Sequence, residues 1–375
     1  MPKLLIVTTV ASTLRAFLLP YARHFRKKGW TVDALSSGFD AHAGSECRSA
    51  FDRCHEIPFS RSPLDRGNFG KTGKRIREIA AEGYDIVHVH TPVAAFVTRM
   101  ALRDLRGKTD GPRVVYTAHG FHFYRGGNPL KNTAFIALER LAGRWTDHTV
   151  TLNREDREAA LAHGIARRET LSLFPGIGLD FSRWSAESAD VSAIKGARLN
   201  LGLEKNDELF LMAAEFIPRK RHRDALRALA MTGRKNFHLA FAGTGPLEPQ
   251  MKRLAFETGI APRVHFLGAR DDVPLLMLSS RATVLPSERE GLSRSVMESV
   301  CLGVPVLGAD ARGIRDILTP ERGTLFPVGN PAALAAAMIL ATDDPRPRKP
   351  APDPLWRIER LLDEHEKLYR RLTRF

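Results

Sequence analysis

Two glutamates eight residues apart, Glu290 and Glu298, stand in the stretch Pro286-Ser287-Glu288-Arg289-Glu290-Gly291-Leu292-Ser293-Arg294-Ser295-Val296-Met297-Glu298. The first follows an apolar run ending in a turn-like Pro-Ser. The second falls where a helix is due to run. Cys301-Leu302-Gly303-Val304-Pro305-Val306-Leu307-Gly308 then reads as a helix end, a glycine stop and a short buried strand. A helix over 293–302 offers first-turn amides to an anion. Eight residues at helical rise put the carboxylates roughly 12 Å apart if the helix covers both. That span suits a ligand with a hydroxyl-rich group at each end and phosphates between, as in a nucleotide sugar. Two solvated glutamates beside an ordinary strand–helix turn account for the same spacing.

Other stretches offer matching chemistry. His119, in Thr117-Ala118-His119-Gly120-Phe121-His122-Phe123, follows a predicted strand, where an imidazole can donate to a hydroxyl or steady developing charge. A buried structural histidine is the plainer reading. His88 and His90 alternate within a strand and so share a face, as structural or site-lining residues. Arg219, Lys220 and Arg221 follow another strand, where a dense positive cluster suits a diphosphate whose charge grows as it leaves; a solvated basic face would look the same. Gly243-Thr244-Gly245-Pro246 is a strand-to-helix turn with no third glycine, and no glycine follows Thr9, so a dinucleotide fingerprint is not supported. There is no GxxxxGK[ST] and no GxSxG.

The elements that must position these residues alternate. Strands are expected at 4–9, 31–35, 86–90, 113–117, 148–152 and 171–174, with helices at 14–28, 72–82, 94–105, 132–145 and 155–163. The alternation lapses over 175–195, from Pro175-Gly176-Ile177-Gly178 onward, which marks a domain junction. It resumes with strands at 209–213, 237–242, 264–267, 282–285 and 324–326. Helices at 223–230, 247–257, 273–278 and 331–341 interleave with them, and a proline-rich tract at 345–354 leads to a last helix at 355–373. Strands separated by helices of ten to fifteen residues mean βαβ units and parallel sheets. Two doubly wound halves place ligands at the carboxyl ends of their strands, in a cleft between the halves.

At 375 residues the chain has room for two domains, and 43% apolar with 26% charged residues is a soluble globular composition. No run of 18 apolar residues exists, and the opening Met1–Thr9 reads as a buried strand rather than a secretory signal. Cys47, Cys54 and Cys301 form no CxxC pair, which argues against a disulfide framework or zinc site and suits a reducing cytoplasm. The net charge of +15 points to a polyanion, either nucleic acid or an anionic membrane. The excess gathers at 14–28 and 61–77. An arginine-rich solvated surface would give the same count.

Several stretches in order resemble the retaining glycosyltransferases of family 4, and most of all those of bacterial capsule and exopolysaccharide synthesis. They are Tyr116-Thr117-Ala118-His119-Gly120-Phe121-His122-Phe123, Asn153-Arg154-Glu155-Asp156, Pro175-Gly176-Ile177-Gly178-Leu179-Asp180, Ala311-Arg312-Gly313-Ile314-Arg315-Asp316 and the Glu290/Glu298 pair. The resemblance spans roughly 3–342. It implies the α/β GT-B fold: two doubly wound Rossmann-like domains facing across a cleft, with a C-terminal helix crossing back to the first. The expected domains are 1–180 for the acceptor, 181–352 for the nucleotide sugar, and 353–375 as the closing helix.

The resemblance also assigns roles. Glu290 would bind the donor sugar's hydroxyls, Glu298 the nucleotide ribose, Lys220 the diphosphate, and His119 the sugar. Gly268 and Arg270 would meet the base, and Gly291 and Leu292 would present amides. Arg219, Gly243, Ser293 and Arg312 complete the donor set. It implies no cofactor and no metal, with a UDP-sugar as donor substrate. A hexose or N-acetylhexosamine would pass, with retention, to a polyprenyl-diphosphate-linked or glycan acceptor. The enzyme would sit on the anionic inner face of the cytoplasmic membrane. Arg15, Phe17, Arg23, Lys27 and Lys28 would meet lipid or acceptor from a surface helix, together with Leu18, Leu19, Tyr21 and Phe25.

Two departures stand out. Glu215 holds the place of the family's diphosphate-binding arginine, for which Arg219, Arg221 or Arg312 could substitute. The family's early glycine pair is missing, leaving Ser12 and Thr13 to offer hydroxyls or amides. A sugar-nucleotide epimerase on the same fold and a nucleic-acid-binding protein are the competing readings. The second is weakened by basic clusters without interleaved aromatics, so no nucleic-acid partner is expected.

Overall fold

The computed structural model describes all residues except 40–42, 61–64, 69, 107, 109–110, 186–189, 344–348 and 374–375. Arg61, in the second basic cluster, and much of the proline-rich tract lie outside the described residues. The chain divides into two compact units, Met1–Ile177 with Glu359–Phe375, and Gly178–Ile358.

The first unit runs β1 (Lys3–Val10), α1 (Ala11–Thr13), a π-helical turn at Leu14–Leu18, α2 (Leu19–Lys27), β2 (Thr31–Ser37), α3 (Ala43–Ala50) and β3 (Arg53–Glu56). It continues α4 (Lys71–Ala80), β4 (Ile86–His90), α5 (Pro92–Leu102), β5 (Arg113–Ala118), α6 (Pro129–Gly143), β6 (His148–Thr151), α7 (Arg154–Ala162) and β7 (Leu171–Leu173). The sheet order is β3-β2-β1-β4-β5-β6-β7, and every pairing is parallel. Leu4, Leu5, Ile6 and Val7 are all buried because helices cover both faces of the sheet.

The second unit runs α8 (Val191–Asn200), β8 (Glu208–Ala213), α9 (His222–Met231), β9 (Phe237–Ala242), α10 (Glu248–Glu257), β10 (Val264–Phe266) and α11 (Val273–Leu278). It continues β11 (Ala282–Leu285), α12 (Arg294–Cys301), β12 (Val306–Ala309), β13 (Gly323–Phe326) and α13 (Pro331–Asp343). Its order, β10-β9-β8-β11-β12-β13, repeats the plan of the first and is also parallel throughout. In both sheets the winding reverses at a switch point, between β1 and β4 and between β8 and β11. Ligands of doubly wound sheets bind at the carboxyl side of such points.

The last helix, α14 (Ile358–Thr373), belongs mainly to the first unit. Leu361, Leu362, His365, Leu368 and Tyr369 recur on one helical face and are buried. Tyr369 packs on Phe25 at 5.1 Å, and His365 meets Phe174 at 4.7 Å and Tyr21 at 5.0 Å.

Three local features differ from the sequence reading. The expected helix 14–28 is broken by a wide turn. Pro20 sits in the first turn of α2 and has no N–H for the carbonyl four residues back, so the preceding turn opens. The edge elements α3 and β3 lie outside the expected ones, and α3 buries only small side chains such as Cys47 and Ala50. β3 reads Arg-Cys-His-Glu and is held by side chains: Arg53 donates to buried Asp33 at 2.8 Å, and Tyr84 donates to the same carboxylate at 2.5 Å. Helix α8 begins inside the stretch taken as junction, capped by the Asp190 carboxylate on the Ser192 amide.

Candidate active site

In the second unit, the loops after β8 and β11 meet at the switch point. A 3-10 turn at Pro218–Lys220 follows β8, and Arg221 then takes a left-handed conformation (φ 55°, ψ 41°) before α9. That is unusual for a residue with a Cβ. Its guanidinium is held by Asp224 at 2.5 Å and Glu288 at 3.0 Å. The Glu288 amide donates to the Arg219 carbonyl at 2.9 Å, stitching the two loops together.

Glu290 stands at the centre. Lys220 Nζ donates to its Oε1 at 2.6 Å, and an Arg219 Nη donates to its Oε2 at 3.2 Å. Burial raises the Glu290 pKa, but the nearby charges of Lys220 and Arg219 outweigh it and hold the carboxyl below its ordinary value. A third loop fixes the backbone: the Glu290 amide donates to the Arg312 carbonyl at 3.0 Å, and the Ser293 amide to the Gly313 carbonyl at 3.1 Å. Buried Arg312 returns a bond from Nε to the Glu290 carbonyl at 3.3 Å. Gly313 is left-handed (φ +75°), and a Cβ there would lie 2.5 Å from the Gly291 oxygen and 2.8 Å from that of Glu290. The Ala-Arg-Gly motif is thereby explained by close backbone approach.

Helix α12 starts at Arg294, so it covers Glu298 but not Glu290, and the helical ruler does not span the pair. Glu298 is buried on α12 and accepts from Arg294 Nε at 2.7 Å. Burial raises its pKa to about 7 against the pull of Arg294. Ser293 precedes the helix, with Gly291 and Leu292 between it and Glu290.

Other expected donor residues lie on neighbouring loops. Gly243 is used by the fold: its amide donates to the Gly268 carbonyl at 2.7 Å, and a Cβ would meet the Ala214 oxygen at 2.2 Å. Gly268 is left-handed (φ +68°). The exposed Arg270 forks onto Asp272 at 2.8 and 2.6 Å. Of the three arginines weighed against Glu215, Arg219 and Arg312 bond to Glu290, whereas Arg221 is turned to Asp224 and Glu288. Glu215 itself is exposed. Glu288 and Asp224 were missed, because nothing in the sequence announces the left-handed arginine they hold.

In the first unit, His119 follows β5 and its Nε2 lies 3.0 Å from His90 Nδ1. His88 and His90 do share a face, with ring centroids 4.1 Å apart, and both are buried. His88 bonds to Tyr369 Oη at 2.5 Å and to Thr117 Oγ1 at 2.7 Å. The chain of rings therefore runs from α14 to His119. Burial lowers the His119 pKa to about 4 and that of His90 well below its usual value, so these imidazoles are neutral at pH 7. Asn153 caps α7 by accepting from the Asp156 amide at 2.7 Å, and Asp156 accepts from the Phe121 amide at 3.4 Å. That accounts for the second family stretch: it anchors the loop carrying His119.

At the first unit's own switch point, Thr91 has φ +61°, a strained value for a β-branched residue. Its hydroxyl bonds Thr9 Oγ1 at 2.8 Å. Ser12 and Thr13, expected to replace a glycine pair, lie in α1, which starts directly after β1. Among the described residues, the one His-and-carboxylate group within metal-ligand reach is His24 with Asp363 and Glu366, and Glu366 is already paired with Lys28 and Arg370.

The membrane expectation for the first helices needs correction. Leu14, Leu18, Leu19, Tyr21 and Phe25 are buried in the core, so they cannot insert into lipid. Arg15 pairs with Glu46 and Lys28 with Glu366, Phe17 is partly buried, and Arg23 and Lys27 are exposed. The basic residues Arg15, Arg23, Lys27 and Lys28 are exposed, whereas the apolar ones serve the sheet.

Comparison with known proteins agrees with this fold. Residues 17–181 match the family model "Glycosyltransferase Family 4", and residues 196–351 match "Glycosyl transferases group 1". A protein of Bacillus subtilis (strain 168) named as a glycosyltransferase, EpsD, is 33% identical over 342 residues, covering 89% of this chain and 85% of EpsD. The UDP-Gal:alpha-D-GlcNAc-diphosphoundecaprenol alpha-1,3-galactosyltransferase of Escherichia coli is 27% identical over 272 residues, 70% of this chain and 67% of that one. Among solved structures, Anabaena Alr3699/HepE in complex with UDP and glucose superposes with a TM-score of 0.77 at 18% identity, covering 100% of this chain and 98% of HepE. WaaG, a glycosyltransferase involved in lipopolysaccharide biosynthesis, gives 0.71 at 18% identity, with 99% of each chain covered. The chain therefore belongs to glycosyltransferase family 4, the group 1 glycosyltransferases, and has the GT-B fold.

Proposed function

We propose that the protein transfers a hexosyl or N-acetylhexosaminyl group from a UDP-sugar, with retention, to a lipid-linked or glycan acceptor in bacterial surface polysaccharide synthesis, working at the anionic inner face of the cytoplasmic membrane. The observation that carries the reading is the convergence of Lys220, Arg219 and Arg312 on Glu290 at the switch point of the second sheet. A diphosphate gains negative charge as it leaves, and fixed cations in a partly dry site stabilise that charge more than the ground state.

The acceptor hydroxyl attacks the anomeric carbon on the face that the diphosphate leaves. The C–O bond to phosphate breaks, its electron pair departs with UDP, and the acceptor proton passes to a phosphate oxygen. Lys220 and Arg219 bind the diphosphate, and Glu290 holds both cations and accepts from sugar hydroxyls. Glu298 accepts from the ribose. Neutral His119 donates to the sugar. The E. coli relative, named for a GlcNAc-diphosphoundecaprenol acceptor, supports a lipid-linked acceptor here.

Incubation with a panel of UDP-hexoses and UDP-N-acetylhexosamines, with and without polyprenyl-diphosphate-linked acceptors, tests the reading. Radiolabel is expected in the lipid fraction for one donor, with the anomeric configuration kept. No transfer and no donor hydrolysis across the panel would refute it. An epimerised donor formed without acceptor would replace it with the epimerase reading.

A further inference from the structure

Helix α6 is apolar on two opposite faces. Its inner face, with Phe135, Ile136 and Ala142, packs on the first unit's core, and Glu139 there pairs with buried Arg99 at 3.1 Å. At helical spacing, Leu130, Ala134, Ala137, Leu138 and Leu141 fall within an arc of about 100° on the other side. All five are exposed; Leu130 is 83%, Leu138 43% and Leu141 40% accessible. A helix serving only its own core would carry polar residues there, so this stripe is unexplained by the fold.

The stripe is edged by cations. Ala137 and Leu141 line a groove of about 740 Å³ whose rim carries Arg106, Arg140, Arg144 and Arg167. Arg106 is engaged by Asp147 and the Arg144 carbonyl. Among the described residues, no carboxylate lies within ion-pair distance of Arg140, Arg144 or Arg167. Lys131 edges the stripe on its other side.

We infer that the outer face of α6 is the surface by which this protein lies on an anionic bilayer. The leucines enter the headgroup boundary and the arginine groove takes lipid phosphates. A protein partner with so apolar a face would need acidic residues at its rim, whereas an anionic leaflet supplies both components at once. The inference rests on the reading of a lipid-linked acceptor, and it moves the contact from α2 to α6.

The test is co-sedimentation of the full chain with phosphatidylglycerol/phosphatidylcholine vesicles and with pure phosphatidylcholine. Wild type should bind the anionic vesicles, less so at high salt. L138E/L141E should lower partitioning about tenfold or more, and R140E/R144E should abolish the preference for anionic lipid. These positions are exposed, so thermal melts should not move; if they do, L130E, at the most exposed position, repeats the test. Unchanged binding of L138E/L141E, loss of binding in R23E/K27E instead, or no binding by wild type at low salt would each overturn the inference. So would a concentration-dependent dimer that L138E dissolves, since the face would then be an interface between copies. Transfer to a detergent-dispersed lipid acceptor without vesicle binding would refute the surface and leave the proposed function standing. Vesicle binding without transfer would do the reverse.

Discussion

Lys220 Nζ lies 2.6 Å from Glu290 Oε1, and both side chains are nearly withdrawn from water. A pair at this burial is not primarily a stabilising device, since desolvation offsets most of its attraction. It is better understood as a fixed cation whose position is set by a fixed anion. Replacing Lys220 with Ala should lower kcat by roughly 10²–10³, with a smaller change in the KM for donor. Stability should separate the variants. In the wild type, the lowered Glu290 pKa gives stability that is present above the ordinary carboxyl pKa and is lost as pH falls through the folded value. In K220A, the largest of the influences that oppose burial is removed. The Glu290 pKa should then rise and the sign reverse, making the variant relatively more stable as pH falls. Urea midpoints of both proteins from pH 4 to 8 measure this.

Glu298 should dominate a second pH effect. Its folded pKa of about 7 lies above the unfolded 4.5, so the stability it gives is full below pH 4.5 and is lost as pH rises through 7. The loss is on the order of 3 kcal/mol across that window. E298Q, which cannot ionise, should show no such loss and should exceed wild type in urea midpoint above pH 7. UDP affinity by calorimetry should rise with pH through 7 in the wild type, as the carboxylate becomes a full acceptor, and stay flat in E298Q.

Much of the fold could be read from the chain, because buried parallel strands such as Ile86–His90 and Phe237–Ala242 are short apolar runs between turn residues. The polar edge strand β3 could not, since Asp33, Tyr84 and Arg53 hold it across long sequence separations. In the site, residue types and order placed Lys220 and Glu290 each on a loop after a strand, but neither side by side nor in contact. Contact depends on the left-handed Arg221 and on Arg312 arriving from a third loop. The first helix misled for a related reason: its basic and apolar residues lie on opposite faces, a pattern shared by a membrane helix and a helix on a sheet.

His90 should act through His119. With Nδ1 at 3.0 Å from His119 Nε2, it sets which ring nitrogen of His119 carries the proton and where the ring points. H90A should reduce kcat by about tenfold or more while leaving UDP affinity unchanged, and H90N, which keeps a polar partner, should recover part of the loss. Because His119 titrates near pH 4, a rate profile measured in the E298Q background, free of the Glu298 titration near 7, should show no ionisation between pH 5.5 and 8. An H90A profile in the same background that acquires one in that range would show that His90 and burial together keep His119 neutral.

Gly313 should prove less replaceable than any charged residue of its motif. Its φ of +75° already penalises a side chain by about 1–2 kcal/mol. An added methyl would also press on the carbonyls of Gly291 and Glu290, 2.5 and 2.8 Å away. Backbone cannot yield as the end of a long side chain can, so G313A should push the Glu290 loop outward. The buried carboxylate would then leave Lys220 and Arg219. Transfer should fall as far as in K220A, with UDP affinity weakened too, because both cations lose the anion that positions them. R312K tests the alternative that the motif matters through its guanidinium: it keeps the charge and the glycine, so it should cost far less than G313A in melting temperature. A G313A protein with wild-type melting and activity would show that this loop does not position Glu290.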